Sequence, residues 1–157
     1  MALPILLDTC AAIWIANGDR IAPEALERLA DARAAGQPIH VCPMTAWEIG
    51  QLVASRKIAL AQSPAAWFRA LVALPDVALA AMPPEALIDS SFLPEEPPRD
   101  PVDRIMIAMA RHHGYQLMTR DRLILGFAAR GHLQAIACCP TSSASRDRPR
   151  GPPPRCG

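Results

Sequence analysis

The chain is poor in lysine, in aromatic residues and in long apolar runs, and it has no Cys-x-x-C pair. Each shortage excludes a class of protein. A membrane-spanning helix needs about 20 mostly apolar residues. The longest stretch without a charged side chain, residues 131–145, is broken by Gly131, Gln134, Pro140 and several hydroxyl side chains, so no span is expected. The N-terminus lacks a basic region and Asp8 interrupts the first apolar run, which argues against a secretory signal. A soluble, cytoplasmic protein is expected. The five cysteines are odd in number, and the adjacent Cys138 and Cys139 are poorly placed for an ordinary bridge, so reduced thiols are expected. His40, His112, His113 and His132 show no ligand spacing with the cysteines, which speaks against zinc. Lys57 is the single lysine among 16 basic residues; the skew reads as codon usage, although arginine suits phosphate contacts. Trp14, Trp47 and Trp67 fall on amphipathic helical patterns, which favours core or dimer packing over base stacking.

What the chain does have is apolar mass. A hydrophobic content of 51% in 157 residues suffices for one packed domain. The formal charge of +1 predicts no polyanionic partner by itself, but it is unevenly spread: Arg146, Arg148, Arg150 and Arg155 face only Asp147 in the last stretch. That stretch is rich in Pro, Arg and Ser and has little to bury. The expected organisation is a folded domain over 1–139 and a disordered tail over 140–157.

Short apolar runs at 3–7, 39–42, 77–81, 115–119 and 133–137 read as strands. Helical patterns lie between them. One runs from Thr9 to Ala16 and is closed by Asn17-Gly18. Another opens at Pro23 and stops at Gly36, with Leu26, Leu29 and Ala30 on one face. Others run from Thr45 to about Arg56, from Pro64 to Pro75, from Pro84 to Ser91, from Pro101 to Gly114 and over 122–130. Residues 94–101 are too proline-rich for regular structure and form a stiff loop. Strands separated by helices predict an α/β fold, an α/β/α sandwich around a parallel sheet of about five strands. Ligands of such sheets bind beyond the carboxyl ends of the strands.

Four acids fall near that edge. Asp8 ends the first strand, Asp121 follows the fourth, Glu48 lies in the first turn of the helix after the second, and Asp103 lies in the first turn of the helix before the fourth. Carboxylates gathered there repel and raise one another's pKa values, and a divalent cation is the simplest remedy. Oxygen-only donors favour Mg²⁺ or Mn²⁺. Each acid also has a plainer reading. Thr45-x-x-Glu48 is a capping-box pattern, Asp100-Pro101 opens a helix with Asp103 at its third position, Asp8 starts a turn, and Asp121, flanked by Arg120 and Arg122, reads as a surface ion pair. The functional reading rests on all four meeting at one edge.

The stretches LLDTCAAIW (6–14), TAWEIGQL (45–52), DPVDRIMIAMA (100–110) and LMTRDRLIL (117–125) resemble the PIN-domain nucleases, and within them the VapC-like toxins of bacterial toxin–antitoxin pairs. The resemblance spans about residues 3–139. It implies that Asp8, Glu48, Asp103 and Asp121 are the catalytic acids, with Asp8 and Asp103 the metal ligands. Thr9, Thr119 and Asp100 are supporting residues; Asp100 is also the alternative for the third acid. The implied activity is hydrolysis of RNA phosphodiester bonds with Mg²⁺ or Mn²⁺, leaving a 3′-hydroxyl and a 5′-phosphate. The implied partners are an RNA substrate, a cognate antitoxin and a second copy of the chain, with DNA engaged only through the antitoxin. Arg104, Arg120 and Arg122 lie beside the acids and are candidates for RNA phosphates, each equally readable as a surface arginine. Cys10 and the tail after Cys139 depart from the family pattern.

Two alternatives compete. A non-cleaving PIN-like binding module would act as partner or co-repressor in a DNA-bound complex, but it has no need of mutually repelling carboxylates. A haloacid-dehalogenase-like phosphatase would need a second Asp where this chain has Cys10, and Lys57 is its sole candidate lysine.

Overall fold

The structure, a computed structural model, describes residues 2–140; the expected tail over 140–157 lies, from residue 141 on, outside the described residues. Five short strands, β1 (Ile5–Leu7), β2 (Ile39–Val41), β3 (Val77–Leu79), β4 (Gln116–Thr119) and β5 (Gln134–Ala137), form one sheet in the order β3-β2-β1-β4-β5. Every pairing is parallel; Leu7 lies opposite Val41 on one side and Met118 on the other. Seven α-helices are present among the described residues: α1 (Thr9–Asn17), α2 (Pro23–Ala34), α3 (Pro43–Ala54), α4 (Pro64–Val72), α5 (Pro84–Asp89), α6 (Pro101–His113) and α7 (Arg122–Ala129). A 3₁₀ turn over Ser90–Phe92 follows α5.

The side-chain alternation of the strands sorts the core into two halves. Ile5, Leu7, Ile39, Val41 and Met118 point to one face, where α1–α4 cover them with Ala11, Leu29, Ile49, Trp67 and Leu71. Leu6 and Leu117 point to the other, beneath α5–α7, which supply Ala86, Met106, Ile107, Met109, Ile124 and Phe127. With both faces covered, the middle strand β1 is apolar throughout. The sandwich expected from the sequence is therefore the one found. Gly18 (φ 69°) and Gly114 (φ 72°) end α1 and α6 in the left-handed region, where a side chain would be strained.

Three details differ from expectation. Helix α3 begins at Pro43, not Thr45, because proline at the first position needs no N–H partner. Glu48 therefore sits in the second turn, and Thr45 is buried inside the helix instead of capping it. Helix α2 buries Ala25, Leu29 and Ala32, while Leu26 is exposed: the sheet selects which face turns inward, and it takes the small side chains for close approach. Cys10 is disulfide-bonded, whereas Cys42, Cys138 and Cys139 are free. An odd count requires only that one thiol be left over, and a missing Cys-x-x-C excludes only that motif; neither excludes a bridge at Cys10.

Candidate active site

The strand order reverses at β1, whose neighbours β2 and β4 leave the sheet toward opposite faces. A crevice opens at the carboxyl ends of strands at such a point. Here it is a cleft of about 690 Å³ lined by Asp8, Glu48, Asp100, Asp103 and Asp121, with Thr9, Cys10, Met106, Arg120, Arg122 and Leu123. All four expected acids and the supporting Asp100 thus share one cleft.

Local structure holds each acid. Asp8 is the N-cap of α1: its Oδ1 accepts from the Ala11 N–H at 2.7 Å. Its own N–H donates to the Met118 carbonyl at 3.0 Å, extending the β1–β4 ladder by one rung. That rung sets Asp8 beside Thr119, whose buried hydroxyl donates to Asp8 Oδ2. Thr119 Oγ1 also accepts from the Asp121 N–H at 3.0 Å, so one hydroxyl links two acids. Asp121 caps α7, with Oδ1 accepting from Leu123 N–H (2.7 Å) and Ile124 N–H (3.1 Å). Asp100 caps α6 in the same way, with Oδ1 accepting from Val102 N–H (2.8 Å) and Asp103 N–H (3.1 Å). The plain reading of Asp100 as a helix cap is correct, and it extends to Asp8 and Asp121. Capping and lining the cleft are compatible, because one oxygen of Asp100 and of Asp121 serves the helix and the other remains.

Glu48 is held differently. Thr9 Oγ1 donates to Glu48 Oε2 and lies 3.1 Å from Thr45 Oγ1. A hydroxyl has one proton; with that of Thr9 given to Glu48, Thr45 is the donor to Thr9. The buried Thr45 therefore belongs to the site, and sequence reasoning missed it by reading it as a cap. The Thr-x-x-Glu spacing within one helix was the available signal.

The electrostatics follow from burial and crowding. Burial pushes Asp8 up to about 6 against the opposing hydrogen bonds from Thr119 and Ala11, with the charge of Asp121 adding to the rise. Asp103 is pushed up to about 8, by burial first and then by the charges of Asp100, Asp121, Glu48 and Asp8. Glu48 is also raised, by burial and then, against the Thr9 hydrogen bond, by Asp8 and Asp100. Three helix N-termini, those of α1, α6 and α7, point at this cluster and partly offset its charge.

Among the described residues, no three His, Cys, Asp or Glu side chains converge as a ready-made metal cage. The donor set still suits a hard cation. It is all oxygen, it repels itself, and Mg²⁺ typically keeps several waters and takes only one or two carboxylates directly. Of the candidate arginines, Arg120 and Arg122 line the cleft. Arg104 does not; its Nε and Nη2 donate to the carbonyls of Ser90 (2.9 Å) and Ser91 (3.2 Å), tying α6 to the 3₁₀ turn.

The family model for the PIN domain matches residues 5–129. The ribonuclease VapC22 of Mycobacterium tuberculosis is 29% identical over 119 residues, covering 75% of this chain and 87% of that protein. Among solved structures, the fold is similar to a chain of VapBC2 from Rickettsia felis, crystallised with a DNA fragment from its promoter. The TM-score is 0.60 at 10% identity, covering 87% of this chain and 100% of the other.

Proposed function

The chain belongs to the PIN-domain family, and on that premise we propose that it is a metal-dependent endoribonuclease acting as the toxin of a toxin–antitoxin pair in the cytoplasm. The observation that carries the reading is the meeting of five carboxylates in one cleft, with Asp103 raised to about 8 by burial and by the other four. Such a cluster is unfavourable unless a cation completes it. A binding module gains nothing from it.

Asp8 and Asp103 would hold Mg²⁺ or Mn²⁺, directly or through water, with Asp121 and Asp100 beside them. The chemistry supplied by a bound cation is polarisation of the phosphate and a lower pKa for the attacking water. Glu48, fixed by Thr9, orients that water and takes its proton. Thr119 and the α1 backbone keep Asp8 in place. Arg120 and Arg122 supply positive charge for the flanking phosphates. The likeness to a named ribonuclease supports RNA as substrate, and the likeness to a VapBC assembly supports an antitoxin partner. The protein acts as a homodimer and reaches DNA only through its antitoxin.

The test is cleavage of structured RNA by purified protein. Mg²⁺ or Mn²⁺ should support cleavage, EDTA should abolish it, and Asp8→Asn should remove it while the protein stays folded. Wild-type rates from Asp8→Asn would refute the assignment.

A further inference from the structure

The segment 94–99 carries the chain into Asp100, the cap of α6. Pro98 within it is buried, and Glu95 is held at φ 52°, a left-handed conformation that a residue with a side chain keeps only when its surroundings fix it. What fixes it here is the turn after α7. Arg130, the C-cap of that helix, sets its Nε 3.3 Å from Glu95 Oε2, and its Nη2 donates to the Glu96 carbonyl at 2.9 Å. His132 Nε2 lies 3.0 Å from the same Glu95 oxygen. Both of these side chains rest on the fully buried Phe127. The Arg130 guanidinium carbon is 5.5 Å from that ring's centroid, and the two ring centroids of His132 and Phe127 are 4.6 Å apart. Arg111 of α6 donates to the His132 carbonyl, so α6 reaches the same turn from its other end.

This brace joins the two helices that bring acids to one wall of the cleft. Helix α6 supplies Asp100 and Asp103, and α7 opens behind Asp121. Like charges on two neighbouring elements favour their separation, and a restraint between the elements opposes it. Pro97 and Pro98 make the link from Glu95 to the cap short and stiff. We propose that Glu95 is a positioning residue: gripped by Arg130 and His132, it ties the entry of α6 to the end of α7 and so holds Asp100 and Asp103 at the spacing from Asp121 that a divalent cation requires. The inference rests on the metal reading of the cleft. Neither Glu95, Arg130 nor His132 lines that cleft, so their part is outside the chemistry.

Mn²⁺ titrated calorimetrically into metal-free protein, without RNA, reads the spacing apart from activity. Glu95→Gln should weaken Mn²⁺ binding by about two- to fivefold, the scale of an exposed ion pair. It should also speed hydrogen exchange of the Val102, Asp103 and Arg104 amides, which are bonded to Asp100. Glu95→Gly removes the carboxylate and relieves the strained φ, so it should weaken Mn²⁺ as much as Gln does with no fall in melting temperature. Arg130→Lys keeps the charge and loses the planar fork, and should fall between wild type and Glu95→Gln. Saturating Mn²⁺ should restore cleavage by both Glu95 variants. Wild-type Mn²⁺ affinity in both would overturn the brace and leave the metal site standing. So would a loss in Gln that is absent in Gly, since that pattern belongs to loop strain, or a cleavage defect that saturating Mn²⁺ does not restore. If the wild type takes up no Mn²⁺, the metal reading fails and amide exchange in the metal-free protein decides the brace: faster exchange in both variants upholds it, and unchanged exchange overturns it.

Discussion

The helices of this protein differ in whether a side chain caps their first turn. Those that open directly onto the cleft, α1, α6 and α7, start with an aspartate whose oxygen accepts from the first backbone N–H groups. Helices α2, α3 and α5 start behind Ala22, Cys42 and Pro83, with a proline at the first turn and no side-chain cap. Ser63 caps α4, and neither it nor any α4 residue lines the cleft. Proline in the first turn, which α4 and α6 also carry behind their caps, removes a donor. An aspartate start satisfies the helix by adding a charge, and the charge then faces the cleft. The difference shows how a site of mutually repelling acids is held together: backbone N–H groups and helix dipoles anchor carboxylates that would otherwise move apart.

The comparison is broken most severely at Asp8. Asp8→Asn keeps a capping oxygen and removes the charge, so cleavage should fall by roughly 10³-fold or more with little change in melting temperature. Equal activity in a cleavage assay would show that Asp8 is only a cap. Asp8→Ala should lose activity to the same extent and also about 1 kcal/mol of stability.

Asp103, the one acid on α6 that lines the cleft without serving as its cap, sharpens the contrast. A carboxyl whose folded-state pKa lies above its unfolded one binds its proton more tightly when folded. Its contribution is therefore most favourable below the unfolded value near 4 and is lost as pH climbs toward the folded value of about 8. Asp103→Asn should abolish cleavage yet stabilise the metal-free protein at pH 8 by roughly 2 kcal/mol, after discounting for solvent screening. The gain should shrink as pH falls from 8 toward 4. Denaturant melts across that window check it, and an Asp103→Asn protein less stable than wild type at pH 8 would contradict the crowding of acids.

At α7, Asp121→Asn and Asp121→Ala should both impair cleavage, and only the alanine should lower stability, by about 1 kcal/mol. The smallest effect is expected at α4. Ser63→Ala should cost about 0.5–1 kcal/mol, since its bond to the Ala66 N–H is exposed, and should leave cleavage alone. A change in activity there would mean that capping as such, and not a charged cap at the cleft, governs the site.

Much of this was legible in the sequence because the punctuation is strong. Apolar runs that end at Asp8 and Thr119, and helices bracketed by Asp100-Pro101 and Gly114, fix the element edges whatever the packing. What local pattern cannot carry is the outcome of contact. Leu26 looks like a core residue until the sheet selects Ala25 and Ala32 in its place. Trp47 and Trp67 read alike on their helices, yet Trp67 is buried and Trp47 is 55% exposed, because only one faces the sheet. Thr45 gains its role from Thr9, and Arg104 is drawn to two carbonyls that its neighbours in sequence do not reveal. Each of these turns on a partner remote along the chain.

The central pairing of β1 with β4 has a consequence in time. Thr119 meets Asp8 across 111 positions of sequence, and proteins emerge from the ribosome N-terminus first. A nascent chain that has already delivered β1, β2 and β3 still lacks the strand that closes the crevice and the helix that brings Asp121. A message broken midway therefore yields polypeptide without the assembled cleft. The cell meets the complete cleft only once nearly the whole domain has been synthesised.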